Sequence, residues 1–265
     1  SYKIKNNELI LNVKLISKGV TCDLGEKIMI LEIRTAKIAN IDKIRKGELS
    51  EEDREKYIEL NEAFETYYLA LVFSLYAITT IFILPFMKLY TAGADINYVD
   101  WKLPILFGVY QLLSYGRVAS NFAIVFAGEF KSTQWRAWVE TVINLVVSVL
   151  CVFKFGIYGV LVGTVAAVLY RANDVILFAN HRVLKRSAWP TYRRWVTNGV
   201  VFLVLVVVFL KIPLKIESYI QFFLNAVWIS VCIVTVFVSV NSITEKIARQ
   251  VAWRYIKKFL NLNKR

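Results

Sequence analysis

Between Phe155 and Asn180 the chain reads FGIYGVLVGTVAAVLYRANDVILFAN. From Gly156 this stretch stays apolar and small for the ~20 residues that a bilayer-spanning helix needs, and it then carries Arg171, Asn173 and Asp174 in its last turns. A membrane helix with charge inside it is what the pattern predicts. Gly159 and Gly163 are four residues apart, with Ala166 and Ala167 one turn on, so one face is almost bare of side chains. Such a face lets a second helix approach backbone to backbone, which makes Gly159 and Gly163 the expected packing positions of a bundle.

The rest of the chain agrees. Hydrophobic residues make up 57% of it and aromatics 14%, the mean hydropathy is +0.50, and the apolar residues come in blocks rather than at helical or strand spacing. The fold class expected is an all-α, polytopic helical membrane protein. The net charge of +13 is uneven: residues 1–66 hold twelve Lys/Arg against thirteen Asp/Glu, so the excess lies in the remainder. Basic charge beside membrane helices points to topology and to anionic membrane lipids, and away from nucleic acid. Cys22, Cys151 and Cys232 are odd in number and scattered, and His181 is the single histidine, which argues against a disulfide framework or a metal site. There is no phosphate-binding glycine loop and no nucleophile with a matched base. A transporter is expected rather than an enzyme, with no cofactor.

Taken in order, residues 1–49 form a leader of uncertain fold, its first residues alternating loosely like a short strand. Ser50 and Asp53 have the spacing of a capping box and open a helix that enters the membrane. Six spans are expected within residues 50–240, at about 67–87, 103–127, 137–153, 156–179, 196–210 and 219–240. The connections after spans one, three and five carry only Lys88, Lys102, Lys154, Lys211 and Lys215. Those after spans two, four and six carry Lys131, Arg136, Arg182, Lys185, Arg186, Arg193, Arg194 and the tail. Even connections are therefore expected on the cytoplasmic side, with both termini there too. Trp101 on one side and Trp135, Trp138, Trp189 and Trp195 on the other fit an aromatic belt.

The tail, 241–265, is basic. Ser242 and Glu245 have capping-box spacing, and Ile243, Ile247, Val251, Tyr255 and Phe259 form a stripe opposed by Lys246, Arg249, Arg254, Lys257 and Lys258. An interfacial helix on the inner leaflet is expected, the other reading being a solvated basic tail.

Arg117, Glu140, Arg171 and Asp174 fall inside the spans or at their inner edges. An unpaired charge at mid-bilayer costs on the order of 2.5–3.5 kcal/mol even on the lenient scale, so each should face the bundle or a watery cavity. At ~1.5 Å per residue, Arg117 and Arg171 both lie roughly ~20 Å in from the outer ends of their helices, in the cytoplasmic half of the core. Two readings stand for the others. Arg136 with Glu140 (i,i+4) and Arg171 with Asp174 (i,i+3) are spaced for structural bridges, while Glu140 and Asp174 are equally candidates for ion coupling. Arg117 has no acid within four positions on its own helix and is the leading candidate for a functional cation. Asn121 and Asn144 could meet sugar hydroxyls or serve as polar glue between helices.

Across residues 62–198, NEAFETYY, LPFMKLYTAGADINY, FAGEFKSTQWRAWVETVINLVVSVL and FGIYGVLVGTVAAVLYR follow one another in an order that resembles the C-terminal half of bacterial polysaccharide transporters. These are the Wzx-like, O-antigen-type lipid-linked oligosaccharide flippases of the MATE-related exporter superfamily. The resemblance rests on the turn at Ala127–Thr133, the E-x-x-x-N pair Glu140 and Asn144, and the run Gly156, Gly159, Gly163 and Thr164. It implies a two-lobed carrier in the bacterial inner membrane that moves undecaprenyl-diphosphate-linked oligosaccharides for surface polysaccharide synthesis, alongside a polysaccharide polymerase and assembly proteins. It implies cationic cavity residues that meet the diphosphate, a role for which Arg117 and Arg171 are chemically suited. Against that pattern the chain corresponds to the last six helices, so a missing N-terminal lobe would be required. The rival expectations are a fragment of an ion-coupled multidrug or small-solute antiporter and an inactive membrane remnant.

Overall fold

The computed structural model describes residues 2–5, 8–11, 51–92, 100–212, 216 and 218–262. The chain divides into two compact units, Ser1–Glu52 and Asp53–Arg265. In the first, β1 (Tyr2–Lys5) pairs antiparallel with β2 (Glu8–Leu11), Tyr2 opposite Leu11 and Lys5 opposite Glu8. The alternation of YKIK with ELIL is what a two-stranded ribbon requires. The remainder of the leader and the Ser50–Asp53 capping box lie outside the described residues.

The second unit is helical. Its helices are α1 (Glu51–Tyr90), α2 (Lys102–Gly116), α3 (Val118–Phe126), α4 (Phe130–Phe155), α5 (Ile157–Phe178), α6 (Trp189–Lys211), α7 (Tyr219–Thr244) and α8 (Lys246–Leu262). A π-helical turn, Ala179–Val183, continues α5. Among the described residues, five segments are long and apolar enough to cross a membrane: Arg54–Tyr90, Phe130–Phe155, Ile157–Val183, Trp189–Lys211 and Tyr219–Thr244. They make this a multi-pass membrane protein of helical class.

The expected span 103–127 is not one helix. It is divided at Arg117 into α2 and α3, each too short to cross alone. Gly116 marks the place, because a Cβ there would lie 2.4 Å from the Trp195 ring of α6. The indole thus rests against helix backbone, which only glycine permits. Trp195 is accordingly not part of an aromatic belt. It packs inward, edge-on to Phe73 at 5.7 Å, whereas Trp101, Trp135, Trp138 and Trp189 are exposed.

α1 is the central element. Leu69, Phe73, Ala77 and Ile81 are buried on it, and Leu112 of α2, Val206 of α6 and Ile229, Ile233 and Phe237 of α7 close over them. Its Ser74, Thr79 and Thr80 hydroxyls donate to carbonyls three or four residues back, so polar side chains satisfy themselves within an apolar helix. α4 is the opposite case: Leu145, Leu150 and Phe153 are exposed along it. A row of exposed apolar side chains of that length suits lipid, not water.

α4 and α5 form a close antiparallel hairpin. A Cβ on Gly159 would sit 2.4 Å from the Cys151 backbone, and one on Gly163 would sit 2.1 Å from Ser148 Oγ and 2.5 Å from its nitrogen. Gly156, at φ +57°, turns the chain between the two helices.

The C-terminal segment differs from expectation in two respects. Glu245 does not cap: α7 runs through Thr244, Glu245 forms the bend, and Ser242 pairs with the Tyr67 hydroxyl at 3.2 Å instead. The apolar stripe is also rotated. Ile243 belongs to α7 and Ile247, Tyr255 and Phe259 are exposed; of the expected stripe Val251 is buried, and it is Ala248 that joins it against Ala63. A strict i,i+4 row drifts across a helix of 3.6 residues per turn, so it left the true apolar face.

Candidate functional site

Among the described residues, most of the ion pairs fall into two clusters of arginines and carboxylates. The first joins α2, α4 and α5. At the α2–α3 break, Arg117 lies 3.4 Å from Glu140 Oε1, and Arg171 reaches Glu140 Oε2 at 3.6 Å. Arg171 also donates to Asp174 Oδ2 at 3.1 Å, and Arg136 bonds Asp174 Oδ1. The Arg136 guanidinium stacks over the Phe178 ring at 4.7 Å, a cation–π contact that adds to its charge pairing.

All four ionisable residues expected inside the membrane are thus brought together. The Arg171–Asp174 bridge is present, but Arg136 does not pair with Glu140 as its i,i+4 spacing suggests. It pairs across the hairpin with Asp174, because the glycine face of α5 brings the two helices within side-chain reach. Arg117, without an acid on its own helix, finds one on α4. Three arginines against two carboxylates leave one net positive charge, and none of these side chains is fully enclosed: Arg117 and Glu140 are each 23% exposed.

The two asparagines divide. Asn144 accepts a hydrogen bond from Ser148, whose hydroxyl also reaches the Val160 carbonyl at 3.2 Å, so it belongs to the α4–α5 seam. Asn121, half-buried, stands one turn beyond Arg117 on α3.

The second cluster escapes a reading of the sequence. Arg194, in the first turns of α6, is 1% exposed and holds Glu65 Oε2 at 2.6 Å, Glu245 Oε2 at 3.2 Å and Glu62 Oε2 at 3.7 Å. Arg186 adds a bond of 2.5 Å to Glu62 and one of 3.3 Å to Glu65, and Arg193 holds Glu245 at 2.7 Å. Behind them Asn198 and Asn241 exchange amide bonds of 3.1 and 2.8 Å. Asn180, on the π turn, accepts from Arg186 and donates to Thr191. The pattern was present in the letters. Arg194 and Asn198 are one turn apart on α6, as are Asn241 and Glu245 at the end of α7, so two facing rows of polar residues run into apolar helices.

Trp195, which follows Arg194 in the chain, touches Gly116, the neighbour of Arg117. Its Nε1 is buried without a hydrogen-bond partner among the described residues. His181 is exposed, and Cys151 and Cys232 are free thiols.

No family model, curated protein or solved structure matches this chain. Function is therefore argued from the clusters themselves.

Proposed function

We propose that this chain is a lobe of an inner-membrane carrier for diphosphate-linked lipid saccharides, with Arg117, Arg171 and Arg136 as the station that receives the anionic group. The observation that carries this reading is Arg117 at the break between α2 and α3, in a cluster with one net positive charge. Discontinuous helices in carriers are where backbone and side chains become free to meet substrate. A guanidinium that already shares its carboxylate with a second arginine can turn to a phosphate without leaving that carboxylate unpaired.

On this reading α2 and α3 together make one broken crossing. With Arg117 between them, their 15 and 9 residues, at ~1.5 Å each, cover the ~30 Å core, which gives six crossings and, on the charge bias, both ends on the cytoplasmic side. α8 then lies in the interface of the inner leaflet. A second reading, an ion-coupled small-solute antiporter, is favoured by the presence of Glu140 and Asp174 in the same cluster.

Binding of a fluorescent polyprenyl-diphosphate saccharide to the purified chain tests the proposal. Losing one charge-assisted hydrogen bond of about 1.5–3 kcal/mol should weaken binding roughly 10- to 100-fold in Arg117→Gln, with partial recovery in Arg117→Lys. Unchanged binding by Arg117→Gln, or equal affinity for the uncharged polyprenol, would sink it. If instead Glu140→Gln abolishes proton-linked solute uptake by vesicles that never bind the lipid, the antiporter reading stands.

A further inference from the structure

Where α8 folds away from the end of α7, a cleft of about 640 Å³ opens between them and α1. Its walls are mostly apolar, with Val238 of α7 on one side and Trp253 and Ile256 of α8 on the other. Its polar lining is the hydrogen-bonded Tyr67 and Ser242 hydroxyls together with Arg249 and Gln250. The volume is that of a small-molecule site.

Arg249 is the residue that gives the cleft a ligand preference. None of the other cations of α8 lines the cleft, and Arg254 pairs with Glu59 of α1 at 3.7 Å. Arg249 does line it and, among the described residues, no carboxylate pairs with it. α8 contributes five basic residues, Lys246, Arg249, Arg254, Lys257 and Lys258, and no acid. Beside the cleft, Trp253, Ile256, Phe259 and Leu260 remain exposed, and Val238 continues it onto the exposed apolar surface of α7. An occupant must therefore combine an anionic head with an apolar body that extends along a membrane helix.

We infer that this cleft binds one anionic phospholipid of the surrounding leaflet, its phosphate on Arg249 and the Tyr67–Ser242 pair and its acyl chain along Val238 and Ile256. A neutral lipid would fill the apolar walls but leave the guanidinium without a counter-charge, whereas an anionic one satisfies both. Such a lipid would wedge α8 against α7, fixing the bend at Glu245, whose carboxylate is held by Arg193 and Arg194. The inference rests on α8 lying at the membrane interface. It does not depend on what the arginine cluster carries.

The test uses the full chain in vesicles of phosphatidylcholine doped with brominated lipid, reading the Trp253 contribution as the difference between the wild type and Trp253→Phe. Brominated phosphatidylglycerol at low mole fraction should quench it several-fold more than brominated phosphatidylcholine. Arg249→Gln should bring the two lipids to parity while quenching by phosphatidylcholine persists. The paired variant Lys257→Gln/Lys258→Gln, which removes charge from residues that do not line the cleft, should retain most of the preference. Equal quenching by both lipids in the wild type would overturn the site while leaving α8 at the interface. No quenching by either would overturn the interfacial placement itself. Preference lost in the lysine pair but kept in Arg249→Gln would assign the effect to general surface charge. Displacement by a polyprenyl diphosphate at an equal mole fraction would make the cleft a substrate port and remove the phospholipid assignment.

Discussion

The two arginine–carboxylate clusters use the same chemistry and differ in closure. Around Arg194, three carboxylates meet three arginines from α1, the loop after the π turn, α6 and the α7–α8 bend, and the central guanidinium is almost sealed from solvent. Around Arg117, three arginines share two carboxylates, and every member keeps some access to solvent. In the first, charge balance goes with a buried centre, only Arg193 at its edge being 53% exposed, and in the second both are incomplete. A sealed, neutral network can hold helices but has nothing to offer a ligand. A net-positive, accessible one can exchange partners, and its helices must then be held by something else.

The largest expected effect tests the sealed side. Replacing Arg194 with methionine keeps volume but leaves Glu65 and Glu245 buried without their central partner, and breaking a buried pair in this way costs about 3–5 kcal/mol. Thermal or denaturant unfolding of the detergent-solubilised chain reads this directly. Adding Glu65→Gln and Glu245→Gln to Arg194→Met should return much of the loss, because the penalty is chiefly the stranded charges. A loss below about 1 kcal/mol would put Arg194 with exposed surface pairs and erase the distinction.

What holds the open side is expected to be glycine packing rather than its ions. Gly159→Ala pushes a methyl into the Cys151 backbone, which cannot swing aside as a side chain could. Overpacking of that kind costs about 1–3 kcal/mol. Glu140→Gln removes both of that residue's ion pairs, yet with 23% of the side chain exposed it should change stability by less than about 1 kcal/mol. Measured side by side, alanine at 159 should lower the unfolding temperature more than glutamine at 140. The reverse order would mean that the Arg117 cluster is a structural staple and would weaken its case as a binding station.

How far these features could be read from the sequence follows the same division. The membrane helices, the glycine face and the four charges within it are local patterns, and periodicity reveals them. Which charge meets which depends on distance across helices. Arg136 was spaced for Glu140 and took Asp174, and Arg117 found Glu140 from another helix. The Arg194 cluster was hidden for a different reason. Its arginines sit at the start of α6 and in the loop before it, where basic residues are ordinarily explained by membrane topology, and Glu62, Glu65 and Glu245 are separated from Arg194 by 51–132 positions. The break at Arg117 was hard to read because a glycine such as Gly116 is common in membrane helices, and what this one accommodates, the Trp195 ring, lies on α6.

The smallest effect belongs to a third polar contact, at the N-terminal ends of α2 and α5, where both clusters' explanations should fail. Asp100 accepts from the Lys102 nitrogen at 2.9 Å and from the Tyr158 hydroxyl, and the Lys102 ammonium lies 5.6 Å from the centre of the Tyr158 ring. The tyrosine hydrogen bond, then the backbone bond, hold the Asp100 carboxyl below its ordinary value. A carboxylate whose folded value is depressed adds stability that is complete above the unfolded value of about 3.9, and loses it as the pH falls through the folded value. Wild type and Asp100→Asn should therefore differ by a small, constant amount from neutral pH down to about pH 5, and converge in more acid solution. Unfolding temperatures of the two proteins across that range check it. A gap that widens in acid would show that the contact works through the neutral acid, so that the ionised carboxylate is not what ties α2 to α5.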